Sequence, residues 1–103
     1  MIFQVLLFQE GNQWVAQGLE MDIVVQSSSA KEATEAFILA FLSNLILHEE
    51  LKQVVYRENI PPAPDIYWKQ IMKATPYLDR DPVIEVGNLR VFISFKFYLL
   101  EKK

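Results

Sequence analysis

From Ala30 to about Tyr56 the chain reads as one long helix that is apolar on almost every side. A small fold cannot leave such a helix uncovered. The main stripe is Ala33, Ala36, Phe37, Ala40, Phe41, Leu47 and Leu51, and a second stripe holds Ile38, Leu42, Leu45 and Ile46. Alanines at 33, 36 and 40 let the helix approach a sheet closely. One sheet face can take one stripe. The other needs cover from the C-terminal segment or from another subunit. Ahead of the helix stands Ser27-Ser28-Ser29. Ser29 with Glu32 three residues on is a capping box, in which the hydroxyl accepts from the Glu32 amide and the carboxylate reaches back. A nucleophile or a phosphosite is the other reading of a serine run, and helix-start chemistry accounts for it without either.

The segment before the serines supplies the sheet. Residues 2–8 are apolar except Gln4, with Phe3, Val5 and Leu7 on one face and Ile2, Leu6 and Phe8 on the other. A strand with one wet face alternates apolar and polar, so this one is expected in the centre of a sheet covered on both sides. Glu10-Gly11-Asn12-Gln13 reads as a turn, Trp14 to Gln17 as a second strand, and Asp22 to Gln26 as a third. Short connections make these three an antiparallel meander.

After the helix, Ile60-Pro61-Pro62-Ala63-Pro64 is stiff and cannot be helical. Asp65 is expected to cap a short helix reaching about Lys73, ended by Thr75-Pro76. Tyr77 to Pro82 reads as a polar loop. Val83–Val86, a Gly87-Asn88 turn and a long strand from Leu89 to Leu100 form a hairpin that extends the sheet. The expected fold class is α+β, ordered β-β-β-α-(α)-β-β. A sheet of four or five mainly antiparallel strands carries one long helix on a face.

At 103 residues this is one domain, with a β-β-β-α core over 1–56 and the Pro-rich loop, short helix and hairpin over 57–103. Apolar content of 51% against 22% charged is that of a folded domain, not a disordered one. There is no cysteine, which excludes disulfides and thiol chemistry and fits a reducing compartment. The N-terminus lacks the positive and small-residue regions of a signal peptide. The longest apolar block, Ala36 to Leu47, falls short of the roughly 20 residues that span a bilayer. A cytoplasmic protein is expected. Net charge is −3 and the pI about 5.1, and the ten basic residues are scattered, so no nucleic-acid footprint is visible.

The meander with Trp14-Val15-Ala16 in its second strand, followed by Ser-Ser-Ser-Ala-Lys-Glu-Ala and a later Ala, resembles the HicB-like antitoxin family. That family opens its helix with a Gly-x-Thr-x-Glu-Glu-Ala signature, and Ser29, Glu32, Ala33 and Ala40 match it. Ser27 stands where the family has Gly, Lys31 replaces the first Glu, and Gly18-Leu19-Glu20 takes the place of Pro-Asp-Leu. The match spans about residues 2–51, as in a distant member. The resemblance implies a truncated RNase H topology, a dimer or tetramer, and a small basic RNase toxin, HicA, as partner. Many members carry a C-terminal DNA-binding segment. Here no second helix follows at turn spacing and the polar positions are not basic, so DNA binding is not expected.

Catalytic chemistry is not visible. By the RNase H analogy a nuclease would need acidic residues projecting from its strands to hold divalent metal, and the first strand offers only Gln4 inside. His48 is the only histidine and reads as a last-turn helix residue. Asp79, Asp81 and Glu85 could hold a cation but lack the length and ligand count of an EF-hand, so a solvated turn is preferred. No catalytic, cofactor, metal or nucleic-acid residue is assigned. Trp14, Trp68, Phe92 and Tyr98 read either as a stacking platform or as core and interface, and the absence of accompanying cations favours the second. The expected homodimer or higher homo-oligomer interface is Ile38, Leu42, Leu45, Phe92 and Tyr98.

Three functions stay open. One is a non-enzymatic antitoxin-like module that caps a small basic toxin-like protein, for which a neighbouring reading frame would speak. Another is an orphan homo-oligomeric interaction domain without toxin or DNA binding. The third, an enzyme, is not expected.

Overall fold

The computed structural model describes residues 1–48, 50, 53–56 and 60–101. Strands β1 (Ile2–Glu10), β2 (Gln13–Gly18) and β3 (Val24–Ser27) form the antiparallel meander. Helix α1 spans Ala30–Leu42 and is followed by β4 (Leu45–His48) and β5 (Gln53–Tyr56). Helix α2 (Asp65–Ile71) precedes β6 (Thr75–Arg80), β7 (Val83–Val86), β8 (Leu89–Phe92) and β9 (Ser94–Leu99). The main sheet has the order β3-β2-β1-β9-β6. Only the β1–β9 pair is parallel. Two antiparallel ribbons, β4–β5 and β7–β8, stand apart from it. The α+β class and the mostly antiparallel sheet are as the sequence leads one to expect.

β1 is central because both of its faces are apolar. On one face Phe3, Val5 and Leu7 meet Ala16, Phe95 and Phe97, and α1 closes this side with Ala33, Phe37 and Phe41. The phenylalanines interlock. Phe41 lies 4.5 Å from Phe3 and 4.9 Å from Phe95, while Phe37 meets Phe95 and Phe97 edge-to-face at 6.0 and 6.1 Å. Each such pair adds about 0.5–1.5 kcal/mol beyond its buried area. On the other face Leu6 and Val15 are buried. Loop 60–64 and α2 close this side: Asp22 donates its amide to the Pro61 carbonyl, Ala63 donates to Leu19, and Tyr67 stacks on Phe8 at 6.1 Å.

α1 stops far short of Tyr56. Ser43 Oγ and Asn44 Nδ2 both donate to the Ala40 carbonyl, at 2.7 and 2.8 Å, and the Asn44 amide donates to Phe41. These bonds satisfy carbonyls that a continuing helix would have used. The apolar run Leu45-Ile46-Leu47 is too short for its period to separate helix from strand. The β-branched Val54-Val55 beyond it favour the ribbon. His48 therefore ends a strand, not a helix. The predicted helix at 49, 51 and 52 lies outside the described residues.

Three further expectations change. The stretch read as a polar loop is β6, an edge strand on β9. Its Pro76 sits at the register shift before Leu78, where a strand tolerates a missing N–H. The long final strand divides at buried Ile93, so that residues before it pair in the β7–β8 ribbon and those after it pair with β1 and β6. The third strand begins at Val24 and not at Asp22, whose carboxylate instead accepts from Gln17 Nε2 at 2.8 Å.

Candidate functional site

Both ribbons leave the same end of the sheet. Phe41, at the end of α1, packs on Phe3 near the start of β1, and β4 follows two residues after α1. β8 leads directly into β9 beside Ile2, and the Met1 carbonyl accepts from the Ser94 amide. β5 lies against β8. In the β7–β8 ribbon the Gly87-Asn88 turn has Gly87 at φ +61, as tight hairpins require. The register pairs Val83 with Phe92, Ile84 with Val91, and Glu85 with Arg90. Alternation then divides the faces. Ile84 and Val91 turn inward and pack against the core cluster. Val83, Glu85, Arg90 and Phe92 share the outer face.

That outer face is apolar at its base and charged towards its tip. Phe92 is 63% exposed and Val83 51%. Arg90 Nε donates to Glu85 Oε1 at 3.2 Å, with both side chains well exposed. The neighbouring Met1 and Ile2 add apolar surface, at 55% and 60% exposure. Scattered exposed apolar residues need no explanation, but a contiguous group on a ribbon does.

The structure disperses the five residues expected at an interface. Ile38, Leu42 and Leu45 are half-buried at the end of α1 and the start of β4, against the core cluster. Tyr98 is half-buried on the opposite face of the sheet, since its neighbour Phe97 faces α1. Phe92 alone of the five is prominently exposed. Trp14 joins the α1 side of the core, while Trp68 lies on α2 across the sheet, so the four aromatics do not form one platform. The partners of Phe92 on the ribbon escaped the sequence reading. The signal was present in the mirrored pattern Val83-x-Glu85 and Arg90-x-Phe92 about the Gly87-Asn88 turn.

The acidic residues weighed as cation ligands are held by different neighbours. Asp79 pairs with Lys96 at 3.4 Å, Asp81 accepts from Ser94 Oγ at 2.6 Å, and Glu85 is taken by Arg90. Among the described residues no group of three His, Cys, Asp or Glu is placed to hold a metal ion. At the far end of β1 a shallow cleft of about 320 Å³ lies between Phe8, Tyr67, Ile66 and Leu100, with Gln70 and Glu101 at its edge. No helix among the described residues is long and apolar enough to cross a membrane. The chain matches no known protein family, no curated protein and no solved structure.

Proposed function

We propose that this chain is a non-enzymatic protein-binding module of the HicB-like antitoxin type, acting in the cytoplasm, with the ribbon end of the sheet as its binding face. The observation that carries the reading is the exposed outer face of the β7–β8 ribbon, Val83 and Phe92 beside Met1 and Ile2. Exposed apolar surface grouped on a ribbon is best accounted for by a partner chain. The meander, the Ser29 cap and the small residues Ala33 and Ala40 are the features shared with HicB-like antitoxins, whose partner is a small basic RNase. The acidic balance of −3 suits such a partner.

A second reading, an oligomeric interaction domain without toxin or DNA, is favoured by the use of the C-terminal half. β6 and β9 are built into the main sheet. Purification of the tagged full-length chain from its native host separates the two. Co-purification of a small basic protein is expected on the first reading and recovery of the chain with itself alone on the second. Recovery of nucleic acid, or metal-dependent nuclease turnover by the pure protein, would overturn both.

A further inference from the structure

We propose that the cleft at the far end of β1 is a binding site for a small organic ammonium, a free molecule that joins a cationic amine to an apolar ring. The cleft opens at the opposite end of β1 from the ribbon face, so it stands apart from the protein-binding reading. Its volume, about 320 Å³, falls at the lower end of the roughly 300–1,000 Å³ of small-molecule sites. Aromatic rings form its walls. Phe8 comes from β1 and Tyr67 from α2, with their planes 22° apart and their centres 6.1 Å apart. Ile66 and Leu100 complete the apolar lining. The backbone holds these walls in place. The Leu100 amide donates to the Leu7 carbonyl at 2.9 Å and the Tyr67 amide to the Pro64 carbonyl at 3.1 Å. Ahead of α2, the Ala63 amide ties the proline segment to Leu19 at 2.8 Å. A ligand therefore meets walls that need little ordering, which lowers the cost of binding. The cleft stays open because α2 has no fully buried residue: this side of the sheet is closed over Leu6 and only half closed over Phe8.

The polar groups at the cleft select the charge of its ligand. Glu101 is the charged residue of the lining, and no Lys, Arg or His joins it among the described residues. Elsewhere the carboxylates are engaged: Glu20 by Gln4, Asp22 by Gln17, Glu35 by Arg80, Asp79 by Lys96 and Glu85 by Arg90. Glu101 has no such partner among the described residues. The side chains of Gln4 and Gln17 are likewise bonded, whereas half-buried Gln70, at the edge of the cleft, makes no side-chain hydrogen bond among the described residues. An anion would meet the Glu101 carboxylate with nothing to pair it. A neutral apolar molecule would fill the walls and leave the carboxylate unused. An organic ammonium uses both, since the faces of Phe8 and Tyr67 attract a cation and Glu101 supplies the counter-charge.

Probes that share one benzene ring and differ in charge test this: benzyltrimethylammonium, benzyl alcohol and benzoate. Each is titrated into the isotope-labelled full-length chain and followed by amide chemical shifts. Benzyltrimethylammonium is expected to bind with a Kd of about 1 mM or tighter and to move the amides of Phe8, Gln9, Tyr67, Gln70 and Leu100. It is expected to bind about fivefold tighter than benzyl alcohol, and benzoate is expected to bind more weakly than either. Glu101→Gln, at an exposed site, is expected to weaken the cation roughly two- to fivefold and to leave benzyl alcohol unchanged. Tyr67→Leu keeps an apolar wall and removes its ring, and a loss of about the same size is expected for the cation. The proposal is overturned by a cation that binds no tighter than benzyl alcohol, by benzoate binding as tightly as the cation, or by shifts that fall away from the cleft. It is equally overturned by a Glu101→Gln chain that binds the cation as well as the original.

Discussion

Gly18 ends β2 where the chain passes under α1. A Cβ there would stand 2.6 Å from the Met21 carbonyl oxygen and 2.9 Å from Cζ of Phe37. The loop that follows is fixed from two sides. Gln4 donates its amide and its Nε2 to the Glu20 carboxylate at 2.8 and 3.0 Å, and buried Gln17 holds Asp22. Neither the loop backbone nor the Phe37 ring has room to retreat. Gly18→Ala is therefore expected to destabilise the fold by about 1–3 kcal/mol in urea unfolding, and an unchanged midpoint would contradict this packing. Chemistry at this scale is legible when it is local. Ser29 accepts from the Glu32 amide at 3.1 Å, as its spacing indicates, although the Glu32 carboxylate takes the Ser28 hydroxyl and not the reciprocal amide. Asp65 is less legible. It is the first residue of α2, preceded by Pro64, and makes no side-chain cap, so its carboxylate only favours the positive end of the helix. The Gly18 constraint was invisible in sequence, because it depends on where α1 lies.

Among the elements, the two ribbons differ in kind from the main sheet. β1 is hydrogen-bonded on both sides and buried on both faces, whereas β7 and β8 have one partner each in their own sheet. Local opening follows such differences. Gly87→Ala places a side chain at φ +61 and costs about 1–2 kcal/mol locally. Hydrogen exchange is expected to speed up roughly fivefold or more in the β7–β8 ribbon and to stay unchanged in β1. Equal acceleration in both would mean that the ribbon and the sheet open as one unit. β1 was legible because two apolar faces leave a strand no position but the centre. The helix boundary was not, because Leu45-Ile46-Leu47 satisfies both periods and the decision fell to Ser43 and Asn44 bonding back to Ala40. β6 escaped notice because Pro76 and the acids around Arg80 look like loop chemistry. Its strand character comes from pairing with β9, including the Asp79–Lys96 contact, and only the assembled sheet supplies that partner.

For the whole molecule, the decisive feature is the place of β9 between β1 and β6. A chain ended after Phe92 loses Phe95 and Phe97 from the core and the neighbour of the central strand. Such a chain is expected to show no cooperative thermal transition by circular dichroism, and a sharp transition would mean that the meander and α1 are stable alone. That the C-terminal hairpin supplies a strand to the sheet could be anticipated. That the hairpin divides at Ile93, with one part projecting and the other completing the sheet, could not, since the alternation runs unbroken through Ile93. The β1–β9 pairing also bears on how the protein is made. Ile2 finds its neighbour at Ser94, so β1 is synthesised well before the strand it pairs with. Through that interval β1 has an open edge and two apolar faces, the surface on which nascent chains associate wrongly. Premature contact through that edge is therefore a route by which newly made chains are lost before they fold.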